Sequence, residues 1–228
     1  MLMKVIAHIH NDFNGKFGVP RQSGLVAGLE ASIVFTPEYR NAEALRGLEG
    51  FSHIWLLWDF SLAHTDKWSP TVRPPRLGGN KRMGVFATRS PFRPNPIGLT
   101  SVRLLRVEET AEDGVILVVS GADLLNGTPI YDIKPYLSFS DSHPDAQCGF
   151  AQATQDYRLE VHIDDKLLAA VLQQGCPWQA IHEILSQDPR PAYQHDPERI
   201  YHLDYADWAI DFKVDNATVC IKNIAQKP

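Results

Sequence analysis

Cysteine is scarce in this sequence, and long apolar runs are missing from it. The 228 residues include 3 cysteines, Cys148, Cys176 and Cys220, and no two of them form a CxxC pair. An odd number of widely spaced cysteines argues against a disulfide framework or a structural zinc site and fits a reducing compartment. No stretch of about 18 apolar residues occurs, and the first apolar run is too short for the core of a signal peptide. We therefore expect a cytoplasmic protein without a membrane span.

The signatures of common nucleotide, metal and hydrolase sites are missing too. The sequence has no GxxxxGK[ST] loop, no GxGxxG after a strand, no HExxH and no GxSxG. His8 and His10 share a face of a predicted strand, but no third ligand stands at metal spacing. These absences argue against a Rossmann nucleotide site and a hydrolase, and we expect no metal.

Acidic residues are absent from 67 to 107, although the net charge of the chain is -5. The nine basic residues of this stretch are Lys67, Arg73, Arg76, Lys81, Arg82, Arg89, Arg93, Arg103 and Arg106. Such an uneven distribution predicts a local anion-binding surface on an otherwise acidic protein. The alternative is a basic cluster that pairs with acidic segments elsewhere in the fold, since surface ion pairs are common and contribute little.

What the sequence has in quantity is short segments rich in β-branched and aromatic residues, which predict strands. The first two thirds contain MKVIAHI, LVAGLEASIVF, HIWLLWDF, MGVFAT, LTSVRLLRV, GVILVVSGA and PIYDIKPYL. About seven short strands suggest a barrel or a sandwich. Later segments predict two helices, at LLAAVLQQ and WQAIHEILSQ, and two strands, at DWAIDFKV and ATVCIKNI. We predict a mainly β domain over residues 1–145 and a small α+β domain over 146–228.

The segment RSPFRPNPIG, residues 89–98, places two arginines among three prolines. Proline fixes its own φ and keeps the preceding residue out of the helical region, so this segment is a stiff loop. Arg89 and Arg93 on such a frame lose little freedom on binding an anion, which suits recognition of phosphate or carboxylate. Alternatively, the loop is a rigid turn whose arginines pair with carboxylates at a domain interface.

Two other loops repeat this chemistry. TVRPPRLGGNKRMG, residues 71–84, contains Arg73, Arg76, Lys81 and Arg82 between Pro-Pro and Gly-Gly pairs. It fits a loop that lies along a phosphate backbone, or a solvated basic loop. GVPRQSG, residues 18–24, again places an arginine, Arg21, beside a proline.

The segment PIYDIKPYL follows the turn signal Asn126-Gly127. Strict alternation along this strand would put Ile130, Asp132 and Lys134 on one face and Tyr131 and Ile133 on the other. Asp132 and Lys134 are therefore either a site pair or a same-face ion pair.

Several long strings closely resemble the TsaA-like (YaeB, TrmO) family of tRNA methyltransferases. They are VPRQ, RGLEGFSHIWLLW, TVRPPRLGGNKRMGVFATRSPFRPNPIGLTSV, LLNGTPIYDIKPYL and SQDPRPAY, in order along the chain. The resemblance implies a single β-barrel that methylates N6 of threonylcarbamoyladenosine at position 37 of tRNA, in the threonine isoacceptor, with S-adenosylmethionine. It also implies a homodimer with the cofactor near the contact between subunits.

The resemblance assigns site residues as well. The implied cofactor residues are Pro20, Arg21, Gln22, Arg89, Leu99, Ser120, Gly121, Ala122 and Asp123. We expect Arg73, Arg76, Lys81 and Arg82 to meet tRNA phosphates, Arg93 to shape the pocket or meet RNA, and the C-terminal domain with DPRPAY to help hold the anticodon arm. Asp132 or Lys134 is expected near the reacting nitrogen, without identification of a base. Relatives carry a His-Gln pair after the HIWLLWDF strand; this chain has Ser61 and Leu62, so that contact is not carried over.

Two rival functions use the same features. A non-catalytic RNA-binding module would need the basic surface but no cofactor. A small-molecule methyltransferase would bind the cofactor, but its activity would depend little on salt because it makes no phosphate contacts.

Overall fold

A computed structural model describes residues 3–26, 28–74, 77, 81–191, 194 and 196–227, and most of the regular structure in them is strand, which confirms the mainly β class. The strands are β1 (Ala7–His10), β2 (Glu30–Phe35), β3 (His53–Asp59), β4 (Thr71–Val72), β5 (Met83–Gly84), β6 (Ile97–Thr110), β7 (Gly114–Ser120), β8 (Pro129–Pro135), β9 (Glu160–His162), β10 (Tyr201–Tyr205), β11 (Trp208–Asp215) and β12 (Thr218–Gln226). The α-helices are α1 (Ser138–Asp141), α2 (Asp165–Gln173) and α3 (Trp178–Ser186), and short 3-10 helices lie at Ala42–Leu45, Leu48–Gly50, Val85–Ala87 and Gly149–Thr154.

Six strands form an antiparallel sheet that closes on itself. They pair in the order β1, β2, β7, β6, β3, β8, and β8 pairs back to β1. The sequence predicts about seven strands here, and the difference comes from MGVFAT. That segment contributes only β5, which pairs with β4 in a separate two-stranded sheet before the chain turns at Val85–Ala87.

The interior of the closed sheet follows from alternation along its strands. Ile54, Leu56 and Trp58 of β3 are buried, while the residues between them are only partly so. Opposite Trp58 on β6 stands Gly98, where a Cβ would lie 2.1 Å from the indole Cε2. Only glycine lets the indole lie across β6 at this point.

A second sheet, in the order β10, β11, β12, β9, forms in the C-terminal part of the chain. β12 and β9 are parallel, and the other pairs are antiparallel. Helix α2 begins after Asp164, whose carboxylate accepts from the main-chain N–H groups of Lys166 and Leu167. The predicted helices and late strands are confirmed, whereas β9 and β10 are strands that the sequence pattern did not indicate.

The N-terminal segment before β2 packs into this second unit rather than into the closed sheet. Phe13, Val26 and Leu29 belong to the same buried cluster as Ile181 of α3 and Leu203 of β10. The segment LVAGLEASIVF is therefore a strand only from residue 30 onward, because its first apolar residues serve another core. As a result, residues 13–29 join the two parts of the molecule.

In the part of the chain that the structure describes, no helix has both the length and the apolar character required to cross a bilayer.

Candidate functional site

Three segments that are far apart in sequence meet at the candidate site. The main-chain N–H of Gly24 donates to the carbonyl of Gly121 at 2.9 Å, and the guanidinium of Arg89 donates to Oε1 of Gln22. Gly121 has a φ of +78°, and a Cβ on it would lie 3.3 Å from the backbone of Gly24. The close approach of the two backbones thus depends on glycine. The structure brings together the loop of residues 18–24, Arg89 and the segment 120–123.

The partly buried carboxyl group of Asp123 lies at this meeting point. Nε1 of Trp58 donates to Oγ1 of Thr100 at 2.9 Å, and Oγ1 of Thr100 donates to Oδ1 of Asp123 at 2.8 Å. Burial raises the pKa of Asp123, and the hydrogen bonds from Thr100 and from the main chain of Ser23, together with the charge of Arg89, offset only part of the rise. Asp123 can therefore accept hydrogen bonds from a ligand ammonium or hydroxyl group in a shielded setting. Sequence reasoning did not identify Trp58 and Thr100, because residues that only orient another side chain leave no motif.

Leu99 lies on the opposite face of β6 from Thr100 and is 59% exposed. Leu99 stands opposite Leu57 of the neighbouring strand β3, and on the other side of β3 Leu57 stands opposite Asp132 of β8. Because neighbouring strands lie about 4.8 Å apart, Leu99 and Asp132 stand about 10 Å apart on the outer face of the sheet. The predicted apolar cofactor contact and the predicted catalytic pair thus share one face.

The pairing of β8 with β3 contains a bulge at Tyr131, which the sequence pattern did not indicate. Ile130 is buried and Ile133 packs against the same core, so the prediction that Ile130 shares a face with Asp132 is wrong. The extra residue in the bulge reverses the alternation. Asp132 and Lys134 do share a face, and Nζ of Lys134 lies 2.9 Å from Oδ2 of Asp132 in a largely exposed ion pair.

Arg21 of the same loop contacts the C-terminal part of the chain. Its Nη2 donates to the main-chain carbonyls of Asp188 and Arg190, at 3.0 Å each. Pro20 and Arg21 line a cavity of about 140 Å³ between the loop and the C-terminal part of the chain. The predicted triplet is thus divided, with Gln22 facing the site and Arg21 facing the C-terminal unit.

Arg73, Lys81 and Arg82 lie in or beside the two-stranded sheet of β4 and β5, and we call the stretch of residues 67–86 the basic arm. Thr71 pairs with Gly84 in this sheet, and Nη1 of Arg82 donates to Oγ1 of Thr71 at 2.8 Å. Arg73, Lys81 and Arg82 are exposed on the arm, and Arg76 lies outside the described residues.

Arg93 takes a different position from the residues of the basic arm. It is half-buried, and its Nη1 donates to the carbonyl of Thr88 at 3.3 Å, so it braces the proline-rich loop. This contact fits the first of its two predicted roles, shaping the pocket. Arg89, in contrast, is exposed and turns toward Gln22.

Two aromatic side chains mark the base of the basic arm. Trp68 and Phe86 are 50% and 74% exposed, and their ring centroids lie 6.1 Å apart. The sequence already indicates this pairing of aromatic and cationic side chains, since both residues lie within the stretch that lacks acidic residues. Exposed rings beside cationic side chains are typical of surfaces that bind single-stranded nucleic acid.

A polar cluster lies at the end of β3, where Ser61 and Leu62 follow. Nε2 of His64 lies within hydrogen-bond distance of the Asp59 carboxylate, 2.7 Å from its Oδ1. Burial raises the pKa of Tyr131, and the adjacent Asp59 carboxylate raises it further. No spacing rule links these three residues in the sequence, because the bulge at Tyr131 and the turn after β3 bring them together. Ser61 and Leu62 are exposed.

Among the described residues, no group of three His, Cys, Asp or Glu side chains could hold a metal ion.

Comparisons with known proteins identify the family of the chain. The family model for the tRNA-methyltransferase O N-terminal domain matches residues 8–142, and that for the TrmO C-terminal domain matches residues 156–227. The tRNA (adenine(37)-N6)-methyltransferase of Escherichia coli (strain K12) is 46% identical over 213 residues, which cover 92% of this chain and 89% of the relative. A putative S-adenosylmethionine-dependent methyltransferase RcsF of Pseudomonas aeruginosa is 42% identical over 216 residues, 90% of this chain and 88% of the relative.

A crystal structure of TrmO from P. aeruginosa has a TM-score of 0.76 and 33% identity to this chain, covering 99% of this chain and 97% of that one. The matched residues of the two family models include all three segments of the site and the basic arm. The predicted family is therefore confirmed, and with it the enzyme class and the cofactor. The chain belongs to the tRNA-methyltransferase O (TrmO) family, as an S-adenosylmethionine-dependent tRNA methyltransferase.

Proposed function

We propose that this protein methylates N6 of threonylcarbamoyladenosine at position 37 of threonine tRNA. The observation that carries the proposal is the convergence of Gln22, Arg89 and Asp123 in a chain that also has an exposed basic arm. An enzyme needs the first feature to hold a small charged ligand, and the second gives it a surface for RNA.

The residues at the site fit S-adenosylmethionine. Its amino-acid end carries a carboxylate and an ammonium group, which suit the exposed guanidinium of Arg89 and the partly buried carboxylate of Asp123, respectively. Leu99 offers an exposed apolar surface, and the main chain at Gly121 lies open to close approach. When bound, the cofactor supplies an electrophilic methyl group on its sulfonium centre.

The substrate nucleoside needs alignment and an acceptor for one proton. Acylation by the threonylcarbamoyl group makes the N6 proton more acidic than that of an ordinary adenine amine, so a modest base suffices. The rigid loop that carries Arg89 and Arg93 supplies alignment of the nucleoside with the cofactor. Asp132 is our candidate acceptor, with Lys134 as its ion-pair partner, since both share the outer face with Leu99.

The tRNA lies along the basic arm in this proposal. Arg73, Arg76, Lys81 and Arg82 meet phosphates, and Trp68 and Phe86 offer rings for unpaired bases of the anticodon loop. We further infer that the closed six-stranded sheet is the β-barrel of a catalytic domain over residues 1–145. In this view residues 146–228 form a second domain that helps hold the anticodon arm.

We also propose that the enzyme is a cytoplasmic homodimer. Leu62 and Leu99, 66% and 59% exposed, and Phe92, 55% exposed, supply apolar surface for a contact between subunits near the site.

The test is transfer of labelled methyl from S-adenosylmethionine to threonine tRNA with and without the threonylcarbamoyl group. Label in the modified tRNA alone supports the proposal. Label in both tRNAs would contradict the requirement for prior modification. Label in neither, with cofactor binding intact, would contradict the proposed substrate and favour a small-molecule methyltransferase. Failure to bind the cofactor would favour an RNA-binding module.

A further inference from the structure

We propose that Arg21 is a positioning residue that links the cofactor loop (residues 18–24) to the C-terminal unit. Through this link, the C-terminal unit determines the conformation of the loop. The inference rests on the proposed function in one respect, namely that Gln22 and Ser23 face the cofactor. It assigns Arg21 a role other than direct contact with the ligand, and it gives the C-terminal unit a part in cofactor binding.

The guanidinium of Arg21 holds a turn of the main chain. One nitrogen, Nη2, donates to the carbonyls of Asp188 and Arg190 at 3.0 Å each. Hydrogen bonds from a charged donor are stronger than neutral ones, and two acceptors on one turn fix its direction. The loop is thereby attached to residues 188–190 by contacts that depend on the shape of that turn.

The turn itself is held rigidly. Asp188 has a φ of +53°, and its two carboxylate oxygens accept from Nε and Nη2 of Arg190 at 2.8 and 3.0 Å. Tyr157 donates to the same carboxylate at 3.1 Å, and Arg190 lies over the ring of Tyr201. Burial opposes ionisation of Asp188, but the Arg190 guanidinium prevails and lowers its pKa. A nearly buried ion pair of this geometry gives Arg21 a stiff anchor.

The neighbours of Arg21 in the chain face the candidate site instead. Gln22 accepts from Arg89, the amide of Ser23 lies against Asp123, and Gly24 donates to Gly121. Since Arg21 is covalently next to Gln22, movement at Arg21 moves the groups that face the ligand. The anchor and the site therefore lie on opposite sides of one short loop.

Packing alone does not hold the loop at this point. The cavity of about 140 Å³ lies between the loop and α3 and is lined by Pro20, Arg21 and Gln187, among others. Gln187 is 7% exposed, and its Oε1 has no hydrogen-bond partner among the described residues. Where packing is incomplete, directional bonds decide the conformation. The two hydrogen bonds from Arg21 therefore contribute more to fixing the loop conformation than they would beside a fully packed interior.

The experiment measures S-adenosylmethionine affinity by calorimetry, without tRNA, for the full chain and its variants. Arg21→Ala is expected to raise the Kd about tenfold, and Arg21→Lys to recover part of the loss because an ammonium can still reach a carbonyl. The matched control is Arg40→Ala, because Arg40 also donates to two main-chain carbonyls, those of Phe35 at the end of β2 and Glu112 in the turn after β6, and neither belongs to the anchor. The control should leave the Kd unchanged. An unchanged Kd for Arg21→Ala would overturn the proposal.

A second variant separates positioning from direct contact with the cofactor. Asp188→Asn weakens the anchor without touching the loop, and asparagine tolerates the left-handed backbone at this position. Positioning predicts that Asp188→Asn also raises the Kd, and that it adds little to Arg21→Ala in the double variant. If Asp188→Asn leaves the Kd unchanged, or if the two effects simply add, Arg21 acts as a ligand and the proposal is wrong. Thermal unfolding of each variant identifies loss of fold, and because no tRNA is present, failure of the proposed substrate does not affect the result.

Discussion

Arg89 donates a hydrogen bond to the side-chain oxygen of Gln22, although 67 positions separate the two residues in the chain. The bond joins a proline-stiffened loop to a loop whose flanks are buried against the C-terminal unit. The hydrogen bond to neutral Gln22 already orients the exposed guanidinium of Arg89, and its other N–H groups remain available to an anion. Binding of the anion therefore costs little further side-chain entropy. This relationship explains why so rigid a loop carries a cation.

Replacement of Arg89 should impair cofactor binding more than replacement of Arg93. We expect Arg89→Ala to raise the Kd for S-adenosylmethionine about tenfold or more, because a charge-assisted contact to a carboxylate is lost. Arg93→Ala should change it less, since Arg93 braces the loop through the carbonyl of Thr88. Calorimetry on both variants measures this difference. An unchanged Kd together with a raised KM for modified tRNA would instead assign Arg89 to the threonyl carboxylate.

Asp123 should make the protein less stable as the pH rises. Its folded-state pKa is raised above the ordinary value of 3.8 by burial, so the folded state binds the proton more tightly than the unfolded state. The contribution of this group to stability is complete below the unfolded pKa and is lost as the pH rises through the folded pKa. Asp123→Asn should therefore unfold at a higher temperature than the parent at pH 7, by about 2 to 4 °C for each kcal/mol gained.

The same variant tests the role of Asp123 in binding. Well below the unfolded pKa of 3.8 the carboxyl is protonated in both states, so the difference in unfolding temperature should disappear toward about pH 2.5. At pH 7 the more stable variant should bind S-adenosylmethionine more weakly, because the neutral amide lacks the negative charge that attracts an ammonium group. If the stability of the variant relative to the parent is the same at pH 7 as at about pH 2.5, burial is not the cause of the effect.

The motifs of the sequence predict which residues belong to the candidate site better than they predict its geometry. Gln22 and Arg89 lie in strings that resemble the family, Asp123 directly precedes another, and the structure brings the three together. The bulge at Tyr131 could not be predicted, because strand periodicity assumes an unbroken register. The direction of Arg21 could not be predicted either, since it depends on a turn formed more than a hundred residues later. Contacts that depend on tertiary packing leave no local pattern to detect.

The basic arm should determine the salt dependence of tRNA binding. Lys81→Ala combined with Arg82→Ala removes two exposed cations, so the slope of log K against log salt should fall by about 1.4 to 1.8 if both meet phosphates. Arg46→Ala is the control, because Arg46 is an exposed cation outside the arm that pairs with Glu43. Filter binding at several salt concentrations measures the slope. Equal slopes for the double variant and the parent would exclude these residues from the phosphate contacts.

The aromatic pair at the base of the arm should act differently from the cations. Trp68→Ala and Phe86→Ala should each weaken tRNA binding at every salt concentration, by roughly 1 to 3 kcal/mol if one base stacks on each ring, with the salt slope unchanged. Size-exclusion chromatography on the same variants checks a second possibility. If the variants lose a dimer and keep their tRNA affinity per subunit, the rings belong to a subunit contact rather than to the RNA surface.

Asp132 should influence the chemical step rather than binding. If its carboxylate accepts the N6 proton, Asp132→Asn should lower kcat about a hundredfold or more and leave the Kd for S-adenosylmethionine and for tRNA unchanged. Lys134→Gln keeps the carboxylate but removes its partner, so it should reduce kcat much less. Single-turnover methylation of modified tRNA measures the step directly. If Asp132→Asn methylates at the parent rate while His64→Gln is slow, the proton acceptor is the His64 and Asp59 cluster at the end of β3.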